Sequence, residues 1–336
     1  MQSVGACRAR VFTPDERRIL EILSDGKFHS GVQLGEFIGK TRASVLHNIK
    51  TLSEHGISFN RVVGRGYQLQ HVPCFYDADL LKRRPGLTYF DSVESTNTYL
   101  LGKPESPEGS VVVAGFQEGG KGRRGREFVS RFGEQVMFSY ACRFNEPAEI
   151  AGLSIVAGIS VVKVLRAAGQ RNLGLKWPND IYVDGKKAGG ILVETNCGAG
   201  GVYAVIGIGI NVAKDFLFSS DMARVNREIS VAEAVGNDGS GRSRFLLNLC
   251  EQLDRDLEEY RKCGLGSFVS EFNECDVYRG HEVVLINDNV HLCGISDGIS
   301  SSGALVIYDD EGVRREIFAG DVSLRPVAGT AGLQYT

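Results

Sequence analysis

Residues 110–126 read SVVVAGFQEGGKGRRGR, a β-branched apolar run that passes straight into a glycine-rich basic loop. The run 110–116 predicts a buried strand. In the loop, Gly119, Gly120, Gly122 and Gly125 alternate with Lys121, Arg123, Arg124 and Arg126. Glycine frees the backbone for left-handed conformations and close approach, and the cations are charge-assisted donors for phosphate or carboxylate. The segment therefore reads as an anion cradle at the C-terminal end of a strand, where ligand sites of α/β folds lie. A solvated basic loop is the competing reading, because the G-x-x-x-x-G-K-[ST] phosphate loop is absent.

Strands and helices alternate on both sides of this stretch. Upstream, a short strand at 88–90 leads through Asp91-Ser92-Val93-Glu94-Ser95-Thr96-Asn97 into a helical patch. Downstream come a strand at 136–142 and an apolar helix at 150–168, whose lack of a polar face predicts burial against the sheet. Lys176-Trp177-Pro178-Asn179-Asp180 then follows a short strand and carries the single tryptophan of the chain. Pro178 fixes the turn, which makes Lys176 a point charge held at a strand end; a surface lysine beside a structural turn is the alternative. Asp184-Gly185 predicts a hairpin joining 181–183 to 191–194, with Lys187 between them. In the strand 203–211, Gly207 and Gly209 permit another group to come close, and Asn211 ends it. An irregular polar stretch at 214–242, an amphipathic helix at 245–260 and a further helix near 268–273 complete this part.

The flanks differ in texture. Residues 1–12 read as a loose lead-in. Thr13-Pro14-Asp15-Glu16 is a capped helix start, and two short helices follow, one at 32–38 stopped by Gly39 and one from Thr41 to about Gly56. Two short helices across a tight glycine turn predict a helix-turn-helix. Thr41 caps the second helix, Arg42, Ser44, His47, Asn48 and Lys50 are placed on its exposed face, and Arg61 and Arg65 sit on a hairpin at 59–69 that makes the module winged. Residues 13–72 hold eight Lys and Arg against six Asp and Glu, a balance of +2. Residues 71–84 read as the connection to the next domain. Beyond 277, short strands at 282–286, 290–296, 304–308, 314–318 and 322–325 predict a small SH3-like barrel.

Composition bounds the rest. A chain of 336 residues suits two or three domains. A net charge of -3 excludes a general polycationic coat for nucleic acid and leaves room for a local DNA-binding module. The eight cysteines are scattered without metal-ligand spacing, which favours reduced thiols in the cytoplasm and no metal site of the protein's own. No apolar signal core stands at the N-terminus, and no run reaches the roughly 18 uninterrupted apolar residues of a membrane span. No Ser-His or Cys-His nucleophile arrangement is evident.

Five clusters in order, Asp91-Ser92 to Ser95-Thr96-Asn97, Gln117 with Gly120 to Arg126, Lys176 to Asp180, Lys187 to Glu194, and Gly207-Ile208-Gly209-Ile210-Asn211, resemble biotin-protein ligase. With the winged module in front and the barrel behind, the chain is similar to the bifunctional form, the biotin operon repressor. The resemblance implies an α+β protein: a winged helix-turn-helix at 13–72, a mixed α/β catalytic domain of the biotin/lipoate ligase type at 80–276, and an SH3-like domain at 277–328. It implies that biotin and ATP, with Mg²⁺, form biotinyl-5'-adenylate, and that biotin passes to one lysine of the biotin carboxyl carrier protein of acetyl-CoA carboxylase. It also implies operator DNA and a homodimer as partners, with no membrane. A carboxylate meeting a phosphate needs positioning and cations more than a nucleophile.

By match to the family's motifs, Ser95, Thr96, Asn97 and Gln117 would hold the biotin head. Lys121, Gly122 and Arg123 would fold over biotin, with Arg123 and Lys176 as the catalytic pair. Arg124, Arg126, Phe128, Lys187, Asn211, Asn179 and Asp180 fall to the adenylate or ATP, Asn179 and Asp180 alternatively to structure. Thr41, Arg42, Ser44, His47, Lys50, Arg61 and Arg65 would face DNA. The best-known members carry Arg at the Lys121 position, a basic residue at Glu127 and Trp at Phe128, so altered adenylate affinity or kinetics is expected. Two alternatives stay open: a ligase without a regulatory role, and a non-catalytic biotin-responsive regulator. The polar head-group set suits a ureido ring better than the chain of lipoate or octanoate.

Overall fold

The computed structural model describes residues 7–198, 201–212, 231, 235, 238–287, 290–318 and 323–326. The expected mobile stretch at 214–242 lies mostly outside them.

The N-terminal module has three helices, α1 (Pro14–Leu23), α2 (Gly31–Ile38) and α3 (Arg42–Glu54), then a hairpin of β2 (Phe59–Val62) and β3 (Gly66–Leu69). Thr13 and Glu16 form a capping box on α1, Ser30 and Gln33 another on α2, and Thr41 caps α3. Gly39 closes α2 in the left-handed region, at φ 66°. Ile19, Leu20, Leu23, Leu34, Val45, Ile49 and Leu52 form the core. Asn48 corrects the sequence reading: it is buried, because 45, 48, 49 and 52 form the inward stripe of α3.

The lead-in is also corrected. Ala9–Arg10 is a strand, β1, antiparallel to β4 (Leu87–Val93), with Ala9 opposite Val93 and Arg10 opposite Ser92. A chain segment preceding the first helix thus becomes the edge of the central sheet.

That sheet continues with β5 (Val111–Gln117), β6 (Gln135–Phe144), β7 (Leu173–Lys176), β8 (Asp180–Val183), β9 (Lys186–Gly198) and β10 (Gly201–Asn211). Its eight strands run in the order β1-β4-β5-β6-β10-β9-β8-β7. A one-turn helix, α4 (Ala78–Leu81), precedes β4. The β4–β5 pair is parallel, joined through the helix α5 (Thr96–Leu101), and the other pairs are antiparallel. After the Asp184-Gly185 turn, β9 begins at Lys186, earlier than the sequence suggested. It is long enough to pair with β8 near its start and with β10 along most of its length.

Two helices, α6 (Leu153–Ala167) and α7 (Gly239–Cys263), pack in the principal core. The stretch Pro147–Ala167 is long and apolar enough to cross a membrane, and it is mostly buried inside the protein. Here it is the core helix. On another patch of the sheet, Leu100 packs with Val112, Ala141, Tyr203 and Val205. A short helix, α8 (Val269–Cys275), leads to a five-stranded antiparallel sheet of β11 (Glu282–Asn287), β12 (Val290–Ile299), β13 (Leu305–Asp309), β14 (Arg314–Ile317) and β15 (Ser323–Pro326), in the order β14-β13-β12-β11-β15.

Candidate functional site

Ser95 caps α5 through its hydroxyl, which accepts from Thr98 N at 3.3 Å. This places Thr96 and Asn97 in the first turn, both buried. Gln117, the last residue of β5, accepts from Thr96 N at 2.8 Å and from Thr96 Oγ1 at 3.1 Å through Oε1. Asn97 donates through Nδ2 to Glu194 Oε2 at 2.8 Å and to Leu192 O at 3.2 Å. Ser139 Oγ donates to Asn97 Oδ1 at 2.5 Å and lies 2.7 Å from Thr96 Oγ1. Thr96, Asn97 and Gln117 thus form one polar cluster with Ser139, while the Ser95 hydroxyl is taken up in capping the helix that carries two of them. Sequence reasoning missed Ser139; its signal was the one serine in the largely apolar run of β6. A Cβ at position 207 would sit 2.3 Å from Asn97 Oδ1, so the amide occupies the space that this glycine leaves open.

The basic loop folds back on itself. Phe128 N donates to Gly120 O at 2.8 Å, Lys121 and Glu127 form a bridge, and Gly122 N donates to Arg126 O at 2.7 Å. The tip is a short 3₁₀ turn, Arg123–Gly125, in which Arg124 has φ 58° and Gly125 φ 69°. Lys121 Nζ donates to Thr98 Oγ1 at 3.1 Å and Arg123 Nη1 to Asn179 Oδ1 at 3.2 Å, so one cation reaches α5 and the other reaches the lysine turn. Arg124 and Arg126 are exposed on the loop. The Phe128 ring lies against Gly209, where a Cβ would meet it at 2.6 Å.

Lys176 ends β7, half-buried, before a cis Trp177–Pro178 bond. Asn179 N donates to Lys176 O at 3.1 Å, Asn179 Nδ2 to Ile191 O at 2.8 Å, and Ile191 N to Asn179 O at 2.9 Å. Asn179 therefore staples the lysine turn to β9 while holding Arg123. Asp180 takes Lys187 Nζ at 2.9 Å. Asn211 is buried at the end of β10, its Oδ1 accepting from Gln135 Nε2 at 3.0 Å. Next to the turn, burial pushes the Asp276 carboxyl up to about 6. Among the described residues no group of three His, Cys, Asp or Glu could hold a metal ion.

The N-terminal module touches the same region. Asp91 is fully buried and accepts from Phe12 N at 2.7 Å, from Arg17 Nη2 at 2.7 and 2.9 Å, and from Tyr89 Oη at 2.9 Å. His55 Nδ1, at the end of α3, lies 3.0 Å from Ser92 Oγ and 3.1 Å from Glu118 Oε1. Of the residues assigned to DNA, Thr41, Arg42, His47, Lys50, Arg61 and Arg65 are exposed and Ser44 is half-buried. Arg61 lies over the Tyr67 ring and Arg65 over Phe28, at 5.8 and 4.4 Å from the centroids.

A mixed sheet that carries a buried polar cluster, with a glycine-rich basic loop strapped to the turn after a strand-end lysine, is an arrangement suited to activating an acyl group. Residues 89–211 match the biotin/lipoate A/B protein ligase family, and residues 280–325 match the biotin protein ligase C-terminal domain. The chain is 35% identical over 317 residues to the bifunctional ligase/repressor BirA of Salmonella typhimurium, covering 91% of this chain and 96% of that protein. It is 34% identical over 318 residues to the protein of the same name in Escherichia coli. The structure of biotin protein ligase from Aquifex aeolicus in complex with biotin and ATP superposes with a TM-score of 0.61 at 28% identity, covering 72% of this chain and all of that one. The chain belongs to the biotin protein ligase family.

Proposed function

We propose that this protein joins biotin to ATP as biotinyl-5'-adenylate and transfers the biotin to a lysine of a biotin carboxyl carrier protein. The observation that carries this reading is the contact of Arg123 with Asn179, which straps the basic loop onto the turn holding Lys176. Thr96, Asn97, Gln117 and Ser139 offer both donors and acceptors to a ureido head. Lys121 and Arg123 stand over the acyl end, and Lys176 serves the carboxylate and the α-phosphate oxygens. Fixed cations of this kind stabilise the charge that builds up as the carboxylate attacks. Phe128 and Asn211 are assigned to the adenosine side, and Arg124, Arg126 and Lys187 to the phosphates. Mg²⁺ would arrive on the triphosphate, where it neutralises phosphate charge, since Asp180 is engaged by Lys187.

The N-terminal helices and hairpin support a winged helix-turn-helix at 13–72. Thr41, Arg42, Ser44, His47 and Lys50 would meet an operator, with Arg61 and Arg65 on the wing. The five-stranded sheet supports an SH3-like domain at 277–328, behind a catalytic domain at 80–276 that also takes in the strand at residues 9–10. Repression of biotin synthesis genes by a homodimer, with biotinyl-adenylate as corepressor, and a cytoplasmic location complete the proposal.

Incubation with biotin, ATP and Mg²⁺, followed by mass spectrometry, should yield biotinyl-adenylate, and an added carrier domain should gain biotin. Lys176→Ala should lower adenylate formation by at least about a hundredfold; a near-normal rate removes Lys176 from the mechanism. A gel shift with biotin-operon DNA that needs both biotin and ATP is expected, and no shift would leave only the ligase.

A further inference from the structure

We propose that Tyr278 is a positioning residue for Lys176, so that the link between α8 and the C-terminal sheet completes the ligase site. The inference rests on Lys176 acting at the carboxylate and α-phosphate as proposed above. Lys176 ends β7, an edge strand of the central sheet. Residues 276–278 run beside that edge: Leu175 and Asp276 form a parallel bridge, and Val277 N donates to Leu175 O at 3.0 Å. The approach depends on Gly174, where a Cβ would lie 2.2 Å from Val277 Cγ1.

This pairing delivers the Tyr278 ring to the lysine, with Nζ 5.6 Å from the ring centroid, inside the range of a cation–π contact. The ring is itself held in place. Tyr278 is 7% exposed, its N–H donates to Asp276 Oδ1 at 3.0 Å, and its carbonyl accepts from His281 N at 3.0 Å. A second contact from the C-terminal sheet reaches the same strand end: Trp177 Nε1 donates to Gly303 O, in the β12–β13 turn, at 3.0 Å.

The chemistry suits an aromatic face better than a carboxylate. A lysine that serves two oxygens of opposite reactants has to be placed accurately, and its flexible stem resists that. An aspartate would hold the ammonium and also cancel the charge the reaction uses. A ring face attracts the ammonium through its quadrupole and leaves its charge intact.

The test uses the full chain with biotin, ATP and Mg²⁺, read as pyrophosphate release. Position 278 is filled by Phe and by Phe carrying one, two or three ring fluorines, which strip the negative face with little change of volume. The Phe protein should keep most of the rate. Across the series kcat should fall stepwise to about tenfold below it, with the KM for biotin little changed. A flat series overturns the inference, because a ring that only fills space is indifferent to fluorine. The underlying reading fails separately: near-normal release by Lys176→Ala would remove the lysine whatever the series shows.

Discussion

Gly207→Ala offers a sharp trial of the head-group pocket, because the added methyl has one obstacle. Its Cβ would meet Asn97 Oδ1 at 2.3 Å, Cγ at 2.9 Å and Nδ2 at 3.0 Å, whereas ordinary contact begins near 3.4 Å. The carboxamide must therefore retreat by about 1 Å. It is 3% exposed and held at 2.5 Å to Ser139, 2.8 Å to Glu194 and 3.2 Å to Leu192 O. A retreat of that size breaks at least two of these bonds. Each buried group left unpaired costs about 1–3 kcal/mol, partly offset by the roughly 0.5 kcal/mol that alanine gains over glycine in a strand. A net loss of roughly 1.5–5.5 kcal/mol in unfolding free energy follows. If Asn97 also faces the ligand, a displacement of about 1 Å weakens biotin binding by on the order of 10–100-fold. Urea denaturation and calorimetric titration with biotin, on the same preparation, read the two effects. Lost stability with a biotin Kd within twofold of the parent would refute the assignment and leave Asn97 a core residue only.

Two further substitutions probe what surrounds the site. Asp91→Ala strands the Phe12 N–H and the Tyr89 hydroxyl, while Arg17, 38% exposed, is largely rehydrated. Two orphaned donors predict a loss of roughly 2–5 kcal/mol by urea denaturation, and a loss below about 1 kcal/mol would mean that the module's attachment does not depend on this carboxylate. Asp276 has an ordinary pKa of 3.8 raised to about 6 by burial, so the folded state holds its proton more tightly than the unfolded one. Its stabilising effect is full below about pH 4 and is lost as pH rises to 6, by on the order of 3 kcal/mol. Asp276→Asn should accordingly gain roughly 1–3 kcal/mol at pH 8 and little at pH 4, and equal gains at both pH values would refute the burial cause.

What the sequence disclosed follows from how local each signal is. The strand at 111–117, the glycine turns, the capped helices and the lysine turn are decided by neighbours within a few residues, and they lie where pattern and turn chemistry place them. Ala9–Arg10 shows no strand pattern; it becomes one only because Ser92 and Val93 present an open edge over eighty residues later. Asn48 was misplaced for a subtler reason. A polar residue on an amphipathic helix is read as outward, yet the angle between 45 and 49 puts 48 in the core stripe. The contacts of Ser139 with Asn97 and of Tyr278 with Lys176 are harder to read, because each joins distant segments that meet only through the sheet.

The same geometry ranks the three departures from the familiar loop. Glu127 is exposed, so solvent and salt screen its charge and its effect on the field over the site is small. Lys121 meets a single hydroxyl, Thr98 Oγ1, a task that does not use the paired donors of an arginine fork. Phe128 differs in kind, since its ring occupies the space that Gly209 leaves open. An indole there would need more room against the same strand, and in the adenosine role proposed for Phe128 a phenyl ring presents a smaller face. Of the three positions, 128 is therefore the one where contact area changes, and ATP affinity, more than biotin affinity, is where this chain should depart from its relatives.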